Sequence, residues 1–116
     1  LNFIPSRLTA LAMIFSAYIM RFDGRNAFYI WKRDRRKHAS PNSAQTESVC
    51  AGALDIRLAG DAYYFGELHK KEFIGDDIRS PENEDIRRAN RLMYCTSVVV
   101  LVLSLTFRAF VFGGLL

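Results

Sequence analysis

The sequence predicts a mainly α fold: a fragment of a multi-pass integral membrane protein, with two apolar helices flanking a polar loop that holds short helices and a small β-hairpin. Three observations carry that prediction. Leu92–Leu116 is an apolar run whose single charged residue is Arg108. A shorter apolar stretch occupies the other end. Charge is confined between them, because only Arg7 and Arg108 of the 16 Lys and Arg, and none of the 12 Asp and Glu, lie outside residues 21–91. Whole-chain averages (50% hydrophobic, 24% charged, mean hydropathy +0.01) blend the two regimes and so resemble those of a soluble domain. The predicted division is a membrane helix at 1–20, a polar loop region at 21–91 and a membrane helix at 92–116.

The first segment is apolar from Leu8 to Met20, short of the ~20 residues that cross a bilayer. Reaching that length draws in Asn2, Pro5 and Arg7. A spanning helix is the expectation, with an interfacial helix as the alternative. The start at Leu1 and the apolar Gly-Gly-Leu-Leu end suggest a piece of a longer protein, and no signal-peptide pattern opens it. Arg21, Arg25, Lys32, Arg33, Arg35, Arg36 and Lys37 follow the first segment; Arg79, Arg87, Arg88 and Arg91 precede the last. Basic flanks mark the cytoplasmic side. The loop is therefore expected to face the cytoplasm from the cell (inner/plasma) membrane.

Within the loop, Phe28–Lys37 has helical composition and a basic face. Asn42-x-x-Gln45 resembles a capping box, and Val49, Ala53, Leu54 and Leu58 continue at helical spacing, so a helix should end near Leu54 or Asp55. Ile56–Phe65 reads as two strands around a Gly60-Asp61 turn, and 61–80 as irregular with turns at Gly66 and Gly75. Ser80-Pro81-Glu82 predicts that the last helix begins near Pro81 and enters the membrane after Arg91. A soluble core could not cover that helix, since too little other apolar surface is available.

Generic catalytic motifs are absent: no phosphate loop, no dinucleotide fingerprint, no C-x-x-C pair and no H-E-x-x-H. His38 and His69 lack ligand-like spacing, which argues against zinc. Cys50 and Cys95 read as buried free thiols. Nucleic-acid binding would rest on pI ≈ 9.3 alone, and the loop's 14 basic and 12 acidic groups nearly cancel.

The dense polar run is more specific. Arg33-Asp34-Arg35-Arg36-Lys37-His38-Ala39-Ser40-Pro41-Asn42-Ser43, then Glu47, Ala51-Gly52-Ala53-Leu54 and Arg57-Leu58, resembles the CbiB/CobD family, the membrane-bound adenosylcobinamide-phosphate synthases of cobalamin biosynthesis. The likeness continues through Tyr63-Tyr64-Phe65-Gly66-Glu67-Leu68, Lys71, Ile74-Gly75-Asp76, Asp85-Ile86, Ala89 and Arg91-Leu92-Met93, and Asn2 to Ala10 resembles the family's preceding membrane segment. Ala39 and Ala44 depart from the usual proline and glycine without removing a reactive group.

The resemblance implies amide formation between an aminopropanol compound, as its phosphate ester, and a propionate carboxyl of adenosylcobyric acid. It implies ATP and Mg²⁺ as well, the carboxylate being activated, plausibly as an acyl phosphate. Membrane lipid, the corrinoid and further N-terminal membrane helices are the implied partners. On this reading His38, Glu47 and Asp34 are catalytic, and Arg35, Arg36, Asn42, Arg57 and Tyr64 bind substrate, with Arg33 as a further phosphate ligand. Asp76 and Glu47 hold metal. Arginine forks suit phosphate, Mg²⁺ takes few carboxylates, and histidine titrates where an ammonium must lose its proton. Plainer roles stand beside these: a topological basic flank, a helix cap at Asn42, packing at Tyr63 and Tyr64. The alternative function is a non-catalytic membrane relative serving as sensor or assembly partner.

Overall fold

The computed structural model describes residues 3–37, 41–59, 62–64, 66–69 and 73–113. Four helices dominate: α1 (Phe3–Ile19), α2 (Gly24–Asp34), α3 (Pro41–Leu54) and α4 (Glu84–Phe112). Between α3 and α4 lie β1 (Leu58–Ala59), β2 (Ala62–Tyr64), β3 (Glu67–His69) and β4 (Phe73–Ile74).

A tight corner joins α1 to α2. The Phe22 N–H returns to the Ala17 carbonyl and Arg21 takes a left-handed φ of 62°. Asp23 then caps α2, its carboxylate accepting the Asn26 N–H at 3.1 Å. Helices α2 and α3 approach closely because the contact is built from small residues. A Cβ on Gly52 would lie 2.6 Å from the Asn26 carbonyl oxygen and 2.7 Å from the Ala27 Cα. Further along, the Trp31 indole N–H donates to Gln45 Oε1 at 2.8 Å. The core formed where α1, α2, α3 and the start of α4 meet buries Met13, Ala17, Ala27, Val49, Ala53 and Leu92 together with Trp31.

Helix α3 ends at Leu54, as predicted. Asp55, at φ 58°, reverses the chain so that the Ile56 N–H reaches the Ala51 carbonyl. Gln45 is not a capping residue: it is fully buried and accepts from Trp31. The hairpin is also placed differently. β1 pairs antiparallel with β4 (Leu58↔Ile74), and β2 with β3 (Tyr64↔Glu67). The strands flanking Gly60-Asp61 thus have separate partners, and the hairpin turn passes through Gly66, whose φ of 80° suits that turn. Region 61–80 therefore contains strand pairing where irregular chain was expected.

Helix α4 begins at Glu84, three residues past Pro81. The Asp85 carboxylate accepts the Glu82 N–H at 2.7 Å and holds the preceding segment as a turn. Among the described residues α4 is the one helix long and apolar enough to cross a membrane, and its most apolar stretch is only 6% buried. Its 92–112 portion is about 31 Å long, matching a bilayer core of about 30 Å. The expected pair of spanning helices is not reproduced: α1 is apolar, but its 17 residues reach only about 25 Å. The two helices run antiparallel, with Pro5 beside Phe107 and Phe110, and Met13 beside Met93.

Candidate substrate groove

The C-terminal end of α2 and the β4 segment build the main polar site. Asp34 ends α2 with its carboxylate fully buried. Arg33 grips it with a fork, Nε to Oδ1 at 2.8 Å and Nη2 to Oδ2 at 2.9 Å. The Gly75 N–H donates to Oδ2 at 2.7 Å, and Lys37 Nζ lies 3.1 Å from Oδ1. Burial alone would push the Asp34 carboxyl up, but these donors outweigh it and hold its pKa at about 2. Arg33 also reaches outward, placing Nη1 2.9 Å from Asp76 Oδ1.

Gly75 is required here twice over. Its φ is 86°, and a Cβ would stand 2.5 Å from the Ile56 carbonyl oxygen. Lys37 Nζ donates to the Phe73 carbonyl at 3.4 Å. The Arg57 guanidinium stacks 3.9 Å over the Phe73 ring, with Nη2 4.0 Å from Asp77 Oδ2. The result is an open groove of about 690 Å³ lined by Arg33, Lys37, Arg57, Phe73, Gly75, Asp76 and Asp77. Three cations face the half-buried Asp76 and the exposed Asp77, an arrangement suited to a phosphate that carries its own divalent cation.

Asp34, Arg57 and Asp76, far apart in sequence, therefore belong to one site, with Asp34 beneath its floor. Arg35 does not line the groove but stacks 4.6 Å over the Trp31 ring. Arg36 is exposed, and Glu47 is half-buried on α3, away from the groove lining. His38 and the side chains of Asn42 and Tyr64 lie outside the described residues. Sequence reading singled out neither Phe73 nor Asp77. The Gly-Asp-Asp triplet was the available signal, but its relation to Arg57 is purely tertiary.

Among the described residues no three His, Cys, Asp or Glu side chains converge as a metal cage. That is compatible with Mg²⁺, which takes one or two carboxylates and completes its shell with water and phosphate. Cys50 and Cys95 are half-buried rather than fully buried; burial first, then the Asp85 and Glu47 charges, push the Cys50 thiol up to about 11.

Two further polar knots are structural. Arg79 and Arg88 both bond Asp85 at the start of α4, and Arg79 above all holds that carboxyl well below the usual range. At the α1–α2 corner Asn26 Nδ2 donates to Asp55 Oδ1 and to the Gly52 carbonyl, each at 3.0 Å. Burial and the neighbouring Asp23 push the Asp55 carboxyl up to about 6.

The sequence profile of the family described as CobD/Cbib protein matches residues 1–93. The chain belongs to that family. The CobD/Cbib match spans α1 to α3, every groove residue and the charged start of α4, and stops as the apolar part of α4 begins. Similar curated proteins bear the name Cobalamin biosynthesis protein CobD. The one from Desulfotalea psychrophila is 43% identical over 98% of this chain and 34% of its own length. Those from Clostridium perfringens and Pelobacter propionicus are 45% and 47% identical, over 92% and 97% of this chain and 34% and 35% of their own lengths. The chain thus spans about a third of these relatives. No solved structure matches it significantly.

Proposed function

We propose that this chain carries the substrate-binding loop of a membrane-anchored enzyme of cobalamin biosynthesis. The reaction joins the amino group of aminopropanol, as its phosphate, to a propionate carboxyl of adenosylcobyric acid, giving adenosylcobinamide phosphate. Family membership and the relatives' cobalamin names support the pathway. The observation that carries the chemistry is the groove, where Arg33, Lys37, Arg57, Asp76 and Asp77 meet. The loop faces the cytoplasm and α4 anchors it in the cell membrane.

ATP bound with Mg²⁺ supplies the activation that makes a carboxylate a competent acyl donor. Arg57 and Lys37 offer the phosphate contacts, and Asp76 with Asp77 the one or two carboxylates Mg²⁺ needs. Asp34 acts here as a positioning residue, since both its oxygens are engaged and it holds no proton to give near neutral pH. His38 takes the proton from the attacking ammonium. Arg35, Arg36, Asn42 and Tyr64 contact the corrinoid or its phosphate, and Glu47, on α3 outside the groove lining, is assigned base duty.

The test uses the full-length protein with adenosylcobyric acid, ATP, Mg²⁺ and aminopropanol phosphate. Arg57→Ala should lower turnover by roughly tenfold or more with membrane insertion intact, and Arg57→Lys should recover only part, because lysine lacks the fork. Wild-type turnover in Arg57→Ala would remove the groove from the reaction. A wild-type protein that forms no product would instead favour a non-catalytic relative.

A further inference from the structure

Three arginines outside the groove lie toward the polar end of the α1–α4 pair. Ala17 of α1 and Leu92 of α4 lie in the same buried cluster. Arg21 follows Ala17 by four residues, and the Phe22 N–H bond back to Ala17 keeps that corner against the end of α1. Arg91 directly precedes Leu92. Arg25 follows Gly24, which packs so tightly on Tyr18 that a Cβ would lie 2.7 Å from the ring. All three arginines are exposed, and none has an ion pair among the described residues. The neighbouring Arg79, Arg87 and Arg88 are paired with Asp85 or Glu84.

Two further observations give this end a meaning. Tyr18 and Tyr94 are 54% and 76% exposed beside the arginines, the placement of amphipathic rings at a membrane–water boundary. Directly beyond them, α1 and α4 form an open apolar groove of about 1150 Å³ that includes Leu8, Phe15 and Phe107. A soluble anion would satisfy the arginines and leave that surface in water. A molecule with an anionic phosphate head and acyl chains satisfies both.

We propose that Arg21, Arg25 and Arg91 form a collar that binds the headgroups of anionic phospholipids, whose chains lie along the α1–α4 groove. This rests on the membrane placement of α4 and is independent of the substrate groove. Arginine forks match phosphate geometry, and basic groups at a bilayer surface select anionic over zwitterionic lipid.

The test is lipid selectivity. The full-length protein is reconstituted in phosphatidylcholine bilayers containing trace spin-labelled phosphatidylglycerol or phosphatidylcholine, and the protein-associated fraction of each is measured. Wild type should prefer phosphatidylglycerol by roughly fivefold or more at low salt, fading as salt rises. The R21Q/R25Q/R91Q variant should associate with both lipids equally, and the R21K/R25K/R91K variant should keep most of the preference. Equal association in wild type, or a preference that survives in the glutamine variant, overturns the collar. Release of the protein from membranes by an alkaline carbonate wash overturns the membrane placement and the collar with it.

Discussion

Asp34 is shut away from water yet remains ionised, because four donor contacts from Arg33, Lys37 and Gly75 replace its hydration. Removing it leaves the Gly75 N–H without its acceptor, while Arg33 keeps Asp76 and Lys37 keeps the Phe73 carbonyl. Asp34→Ala should cost about 1–3 kcal/mol in unfolding of the full-length protein in detergent, chiefly through the buried Gly75 N–H left unpaired. Asp34→Asn should cost less, since its amide oxygen can still accept from Gly75; equal losses would discount that bond. The carboxylates respond to pH in opposite senses. Asp34, with its folded pKa at about 2, adds stability that is present above the ordinary range near 4 and lost as pH falls towards 2. Asp55, pushed up to about 6, retains a proton that the unfolded chain has released, so its penalty is absent below about pH 4 and complete above the folded value. Stability should therefore decline between about pH 4 and 6, and Asp55→Asn should flatten that decline. Unfolding temperatures across this window decide it, and parallel slopes in the two proteins would refute it.

At the level of elements, what repeats locally was legible and what depends on distant partners was not. The apolar run of α4 and the end of α3 near Leu54 follow from composition and spacing. The β1–β4 pair joins Leu58 to Ile74 across an intervening hairpin, and no local signal specifies such a register. Gln45 sat in a plausible capping pattern, but the buried Trp31 indole claimed its oxygen. The start of α4 was misread because Asp85, not Ser80, organises the preceding turn. The charge-rich half of the groove was visible as residue types, while the meeting of Arg57 with Phe73 and Asp77 awaited the fold. Gly52 had been only a family residue; in place, it sets the α2–α3 separation. Gly52→Ala should destabilise the full-length protein by about 1–3 kcal/mol in thermal unfolding, through overpacking against Asn26 and Ala27. An unchanged unfolding temperature would show that the crossing can yield.

For the whole molecule, a polar unit is carried on one long apolar helix with a shorter antiparallel companion. That architecture places the groove beyond the charged boundary at Arg91, at the polar end of α4. The proposed orientation makes Arg36, exposed just beyond α2, face the cytoplasm. A cysteine at position 36, in a full-length protein whose Cys50 and Cys95 are replaced by serine, should react with a membrane-impermeant maleimide in inverted vesicles and not in intact cells. The reverse labelling pattern would invert the topology.

The indole bridge between α2 and α3 has a practical consequence. Trp31 is the single tryptophan of this chain, sealed to 8% exposure, bonded to Gln45 and covered by the Arg35 guanidinium. The chain thus carries its own optical reporter at the junction of its two loop helices. Separation of α2 from α3 shifts that emission to the red, and an anion that draws Arg35 off the ring alters its intensity. Loop docking and events at the polar run can therefore be followed on this segment without a label.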